Sequence, residues 1–318
     1  MKKTDQPKIV ALGGGTGLST MLRGLKNFTP DITAVVTVAD DGGGSGMLRH
    51  DLGMLPPGDI RNCILALAEI EPLMSMLMQY RFSEGRLKGQ CFGNLFLAAM
   101  NGISKNFEQA VKRVSDVLRV TGRVLPVTED NVYIEALLEN GEIIKGESNI
   151  GKSGLKVPIK RLRLIPGSAK PLPDVLDAIK NADIIVLGPG SLYTSIIPNL
   201  IVDGVSAAIE KSNALKIYVC NIMTQPGETD NYCALKHVEA IFEHAGRNII
   251  DCCIVNKQKI PGHLLERYRA DGADQVYINR DELAAIGIKV MEGNFLRIEG
   301  EHLRHDYEKL AQTIIGMF

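Results

Sequence analysis

The sequence predicts an α/β protein: a Rossmann-like, mainly parallel sheet with helices on both faces and a small antiparallel insertion. Three observations predict it. Apolar runs of strand length alternate with amphipathic stretches of helix length along most of the chain. Glycine-rich or polar loops follow several of those runs, where an open parallel sheet places its ligands. One region, residues 122–165, changes texture to short alternating strands and a hairpin signal. At 318 residues, 45% apolar and 23% charged, the chain has ample material for a core. We read 1–318 as a single Rossmann-like domain carrying that insertion.

The elements follow in order. Ile9-Val10-Ala11-Leu12 reads as a buried parallel strand, and Leu18, Met21, Leu22 and Leu25 form an i, i+3, i+4, i+7 helical stripe. Ile32–Val38 is a second strand. Asp59 has the N-cap chemistry for a helix through Ile60, Ile64, Leu65 and Leu67. Further helices are expected near 73–80, 93–102 and 105–119. Arg123–Val127 reads as a strand and is assigned to the insertion. Ala136–Ile144 reads as a hairpin through Asn140-Gly141, and Lys160–Ile165 alternates like a half-exposed strand. Parallel texture returns at Ala182–Leu187 and Leu215–Cys220. A last strand–helix unit includes Ile249–Val255, and Asp306–Phe318 closes with a helix. The Met74, Met76, Leu77 and Met78 cluster fits core or a dimer surface.

Four loops carry the functional signal. Gly13-Gly14-Gly15-Thr16-Gly17 joins the first strand to the first helix, the arrangement that turns backbone N–H groups and a positive helix end toward a phosphate. It is not the full dinucleotide fingerprint, because Leu18 stands where the third glycine belongs. The second loop, Asp40-Asp41-Gly42-Gly43-Gly44-Ser45-Gly46, follows the second strand. One carboxylate there would suit a ribose hydroxyl, both together would suit Mg²⁺, and a solvated acidic turn is the plain alternative. Gly43 and Ser45 belong to the same candidate set. Arg61 and Asn62 in the following helix, and Asn94 after Gly93, are placed to face the same crevice; Asn94 would serve equally as a cap. The third loop, Gly188-Pro189-Gly190-Ser191 with Thr194 and Ser195, adds hydroxyls for phosphate or sugar oxygens. The fourth, Asn221 to Asp230, brings Asn221, Thr224 and Gln225.

Composition excludes several classes. Net charge is −1, from 36 basic and 37 acidic residues, so no bulk field draws nucleic acid or an anionic membrane. No apolar run is long enough to span a bilayer. Met1–Asp5 leads into a strand rather than a signal-peptide core. The six cysteines form no C-x-x-C pair, which fits reduced thiols. Lys156, Lys160, Arg161, Arg163 and Lys170 read as the solvated face of a strand.

Gly13–Ser19, Asp40–Gly46, Leu55–Asn62, Gly93-Asn94, Leu187–Pro198 and Asn221–Asp230 resemble the YvcK group of gluconeogenesis factors over essentially the whole chain. That group shares a superfamily with 2-phospho-L-lactate transferase (CofD). The resemblance implies a Rossmann-like bacterial cytoplasmic protein that binds UDP-sugars, chiefly UDP-N-acetylglucosamine, and is needed for cell shape and wall synthesis on gluconeogenic carbon sources. It also favours Tyr268 and Arg304 for stacking and charge at a uracil, although a surface helix and an exposed chain end explain them equally. The transferase branch carries Gly-Asp-x-Asp where this chain has Gly93-Asn94-Leu95-Phe96, which weakens metal-assisted transfer. No firm cofactor is expected, and NAD and Mg²⁺ stay open. Of the histidines, all of which lie outside the main glycine loops in sequence, His50 is the best placed for acid–base work, with a surface or satisfied core role the commoner outcome. The expected function is a nucleotide-sugar-binding regulator with protein partners and a possible homo-oligomeric state. A metal-dependent transferase and an NAD-binding protein are the alternatives.

Overall fold

The computed structural model describes residues 6–151, 157–246 and 249–318. Met1–Asp5 and Lys156, on which two sequence expectations fall, lie outside them. The strands are β1 (Ile9–Gly13), β2 (Ile32–Val36), β3 (Arg123–Pro126), β4 (Tyr133–Leu138), β5 (Ile143–Lys145), β6 (Ile159–Ile165), β7 (Ile184–Leu187), β8 (Leu215–Val219), β9 (Cys252–Asn256), β10 (Lys289–Gly293), β11 (Leu296–Glu299) and β12 (His302–His305). The helices are α1 (Gly15–Leu25), α2 (Gly43–Leu52), α3 (Gly58–Leu67), α4 (Pro72–Gln79), α5 (Phe92–Gly102), α6 (Phe107–Val117), α7 (Pro173–Asn181), α8 (Ile197–Leu200), α9 (Val205–Lys211), α10 (Ala234–Ala245), α11 (Gly262–Ala270), α12 (Arg280–Ala285) and α13 (Tyr307–Ile315).

Seven strands pair in the order β10-β9-β8-β7-β1-β2-β3, every neighbour parallel. β1, β2, β7 and β9 are buried at every residue, as strands covered on both faces must be. The α1 stripe of Leu18, Met21, Leu22 and Leu25 is wholly buried and packs toward α3 and α13. From β1 the chain grows outward through β2 to β3, then returns to build β7 to β10 on the other side. The order therefore reverses between β1 and β7, and a crevice opens there beyond the strand carboxyl ends.

Arg123–Pro126 is a correction. It is the seventh parallel strand, in register with Thr33–Val36, so the antiparallel unit is β4–β6 alone. Only three buried residues, Val124 to Pro126, mark it, too few to reveal whether one face or two are covered. The Asn140-Gly141 hairpin forms as read, with Glu135 opposite Lys145. β10 and the β11–β12 hairpin carry no clear sequence signal because they are partly exposed and polar. The α4 cluster lies outside the core apart from Met78: Leu73 is 76% and Met76 69% exposed. Among the described residues no single helix is long and apolar enough to cross a membrane.

Candidate functional site

The loops after β1, β2, β7 and β8 converge on one cleft of about 640 Å³. Loop 13–17 forms its floor. Gly14 is the N-cap of α1 without a side-chain cap, and the first turn holds no acidic residue, so the positive helix end faces the cleft. Gly15 has φ +63°, a left-handed conformation that glycine adopts without steric cost. At Gly17 a Cβ would stand 2.5 Å from the Pro189 carbonyl oxygen, so glycine lets the loops after β1 and β7 touch. Asn199, fully buried on α8, locks them together, its Nδ2 donating to Gly13 O at 3.0 Å and Ser195 O at 2.8 Å.

The loop after β7 is held by side chains, with Ser191 capping the helical turn that follows it. Ser191 Oγ accepts from Thr194 N at 3.2 Å and Thr194 Oγ1 at 2.8 Å, and donates to Glu228 in a short bond. Asn221 pairs with the Gly190 backbone in both directions, at 2.8 and 3.3 Å. Gln225 Oε1 accepts from Asn221, and Thr224 Oγ1 accepts from Asp274 N. Tyr268 and Arg304, on α11 and β12, come together at the β8 side of the cleft, with the Tyr268 hydroxyl accepting from Leu303 N at 3.1 Å.

Of the sequence candidates, Gly14, Gly15, Thr16, Gly17, Asp40, Gly190, Ser191, Thr194, Ser195, Asn221, Thr224, Gln225, Tyr268 and Arg304 line the cleft. The others stand behind the wall. Gly13 and Gly188 are buried at strand ends. Asp41 is turned to the insertion, where its Oδ1 accepts from Ser148 N at 2.7 Å, so it does not join Asp40 around a shared cation. Gly43 is exposed, and Ser45 is buried against Gly58. Asn62 and Asn94 both accept from Arg61, at 2.8 and 2.9 Å. Among the described residues no three His, Cys, Asp or Glu groups are arranged to hold a metal ion. His50 takes the surface role: its side chain is 90% exposed, beside neighbouring Asp51. The histidine on the cleft is His305, which burial pushes down to about 4.

Asp59 is a second correction. α3 begins at Gly58 and Asp59 makes no cap; its carboxylate accepts from the Gly15 N–H beneath the first loop. Burial, then Asp40, raises it to about 6. Glu147, from the insertion, and Glu228 also line the cleft, and burial raises each to about 7. Asp59 was masked by its cap chemistry, and nothing in its local sequence marks Glu147, which arrives from a distant hairpin. Thr20, four residues after Thr16 on the same helical face, was legible by spacing.

Glu147 faces Asp40, Asp41, Asp59 and Glu228. Its folded value lies above the ordinary 4.5, so its contribution is fully present below that value and is lost as pH rises through about 7. Glu147→Gln is expected to raise Tm by roughly 3 °C at pH 8 and by less than about 1 °C at pH 5. Equal shifts in scanning calorimetry at the two pH values would contradict this electrostatic account.

The family description "2-phospho-L-lactate transferase CofD" matches residues 9–296. The chain belongs to this family. It is 46% identical to the gluconeogenesis factor of Bacillus subtilis over 314 residues, covering 98% of each chain. It is also 46% identical to that of Halalkalibacterium halodurans over 316 residues, 99% of this chain and 97% of the relative. A crystal structure of a UPF0052 family member from Bacillus halodurans superposes with a TM-score of 0.94 at 45% identity, covering 97% of this chain and 99% of that one. These findings bear out the family resemblance and the α/β Rossmann-like fold.

Proposed function

We propose that the cleft binds a UDP-sugar, UDP-N-acetylglucosamine foremost, and that the bound state regulates partner proteins in cell shape and wall synthesis during gluconeogenic growth in the cytoplasm. The observation that carries this reading is the glycine-built start of α1, its first N–H met by Asp59, at the point where strand order reverses, with Tyr268 and Arg304 at one end of the same cleft. The diphosphate lies on residues 14–17 and the hydroxyls of Ser191 and Thr194. Tyr268 and Arg304 receive the base. Ligand binding orders loops from four strands at once and so shifts the population presented to a partner.

Group transfer is the second reading, favoured by the hydrogen bond from Ser191 to Glu228, an alcohol beside a carboxylate of raised pKa. Calorimetric titration with UDP-N-acetylglucosamine, NAD and GDP, with and without Mg²⁺, separates the readings. UDP-sugar-selective binding with the ligand recovered intact supports the regulator. NAD or GDP selectivity, or conversion of the nucleotide sugar, overturns it.

A further inference from the structure

The chemistry of the cleft wall changes along its length. The cleft crosses the sheet from β8 through β7 and β1 to β2, three strand spacings or roughly 14 Å. At the β8 end stand Tyr268, Ile222, Leu303 and Arg304. The middle offers backbone N–H groups and hydroxyls. At the β2 end Asp40, Asp59 and Glu147 gather, with Glu228 within electrostatic range of Glu147. Among the described residues, two nearby arginines are engaged elsewhere. Arg49 binds Asn131, the Val132 carbonyl and the Asp40 carbonyl and lies 3.6 Å over the Tyr133 ring. Arg61 serves Asn62 and Asn94, and neither arginine lines the cleft.

Glu147 does not hang on a free loop. The next residue, Ser148, donates its N–H to Asp41 on the β2 side, and Gly151 packs against Gly227 on the β8 side. The 146–151 segment therefore bridges the two loops and holds the Glu147 carboxyl on the cleft wall. A carboxylate accepts hydrogen bonds from hydroxyl and amide groups and repels another anion.

We propose that the β2 end of the cleft is a subsite for an uncharged, hydroxyl-bearing sugar, and that Glu147 is the specificity residue that turns away sugars carrying a carboxylate. This rests on the nucleotide-sugar reading. Rejection by an introduced repulsive group, rather than by shape, is a common way to separate isosteric ligands.

The test is a binding panel on the full chain at pH 8 with UDP, UDP-glucose and UDP-glucuronate, which share the nucleotide and differ in the sugar. UDP-glucuronate is expected to bind at least tenfold more weakly than UDP-glucose, and Glu147→Gln to reduce that ratio to threefold or less. Equal binding of the two sugars by the wild type, or an unchanged ratio in a folded Glu147→Gln variant, would overturn the subsite. Failure of UDP itself to bind would instead overturn the nucleotide reading and the subsite with it.

Discussion

Gly15→Val is expected to abolish nucleotide-sugar binding, a loss of at least a hundredfold, in a protein that still folds. The backbone there has φ +63°, so a β-branched residue costs about 1–2 kcal/mol of strain. A Cβ meets nothing closer than Ser195 Oγ at 3.9 Å, so the side chain fits, and the space it fills is the cleft above the start of α1. The melting temperature falls by only roughly 5 °C while affinity disappears. Gly17→Ala is the contrasting case: its Cβ would stand 2.5 Å from the Pro189 carbonyl oxygen and push the two central loops apart. Calorimetry paired with thermal unfolding distinguishes them, and near-native affinity in folded Gly15→Val would place the phosphate elsewhere.

Asn199→Ala is expected to have the largest effect on stability of any single polar substitution near the site. Its amide group is fully buried and donates to two carbonyls, Gly13 O and Ser195 O, at the point where the loops after β1 and β7 meet. Removing it leaves Gly13 O with the Thr37 N–H alone, takes the amide donor from Ser195 O and opens a small void, together about 2–4 kcal/mol. Affinity should fall with it, because the floor and wall of the cleft lose their fixed spacing. Denaturant unfolding measures the first effect; a change below about 1 kcal/mol would show that the loops are held by other contacts.

The sheet was legible where strands are covered on both faces, because continuous apolar runs such as Ile9–Leu12 and Ile184–Leu187 leave few other structures. Edge elements were not. β10, Lys-Val-Met-Glu-Gly, has neither an apolar run nor alternation and carries no burial signature, and Arg123–Pro126 is too short to declare which sheet it joins. The cleft was half legible for a related reason. Glycine and hydroxyl loops announce themselves in sequence, so residues 14–17, 190–191, 194–195 and 221–225 could be placed on the wall. Two of the carboxylates do not, since Asp59 carries ordinary capping chemistry and Glu147 reaches the cleft only through tertiary structure. Adjacent Asp40 and Asp41 read as a pair, yet only one faces the cleft, because the second is taken by the Ser148 N–H of the insertion.

A UDP-sugar is proposed to bind where the loops after β1, β7 and β8 meet. Hydrogen exchange read by mass spectrometry, with and without saturating UDP-N-acetylglucosamine, tests it most directly. Slowed exchange is expected in residues 14–20, 189–195, 221–228 and 303–305, with the distant α4 surface unchanged. Protection confined to other segments, or none at saturating ligand, would contradict it.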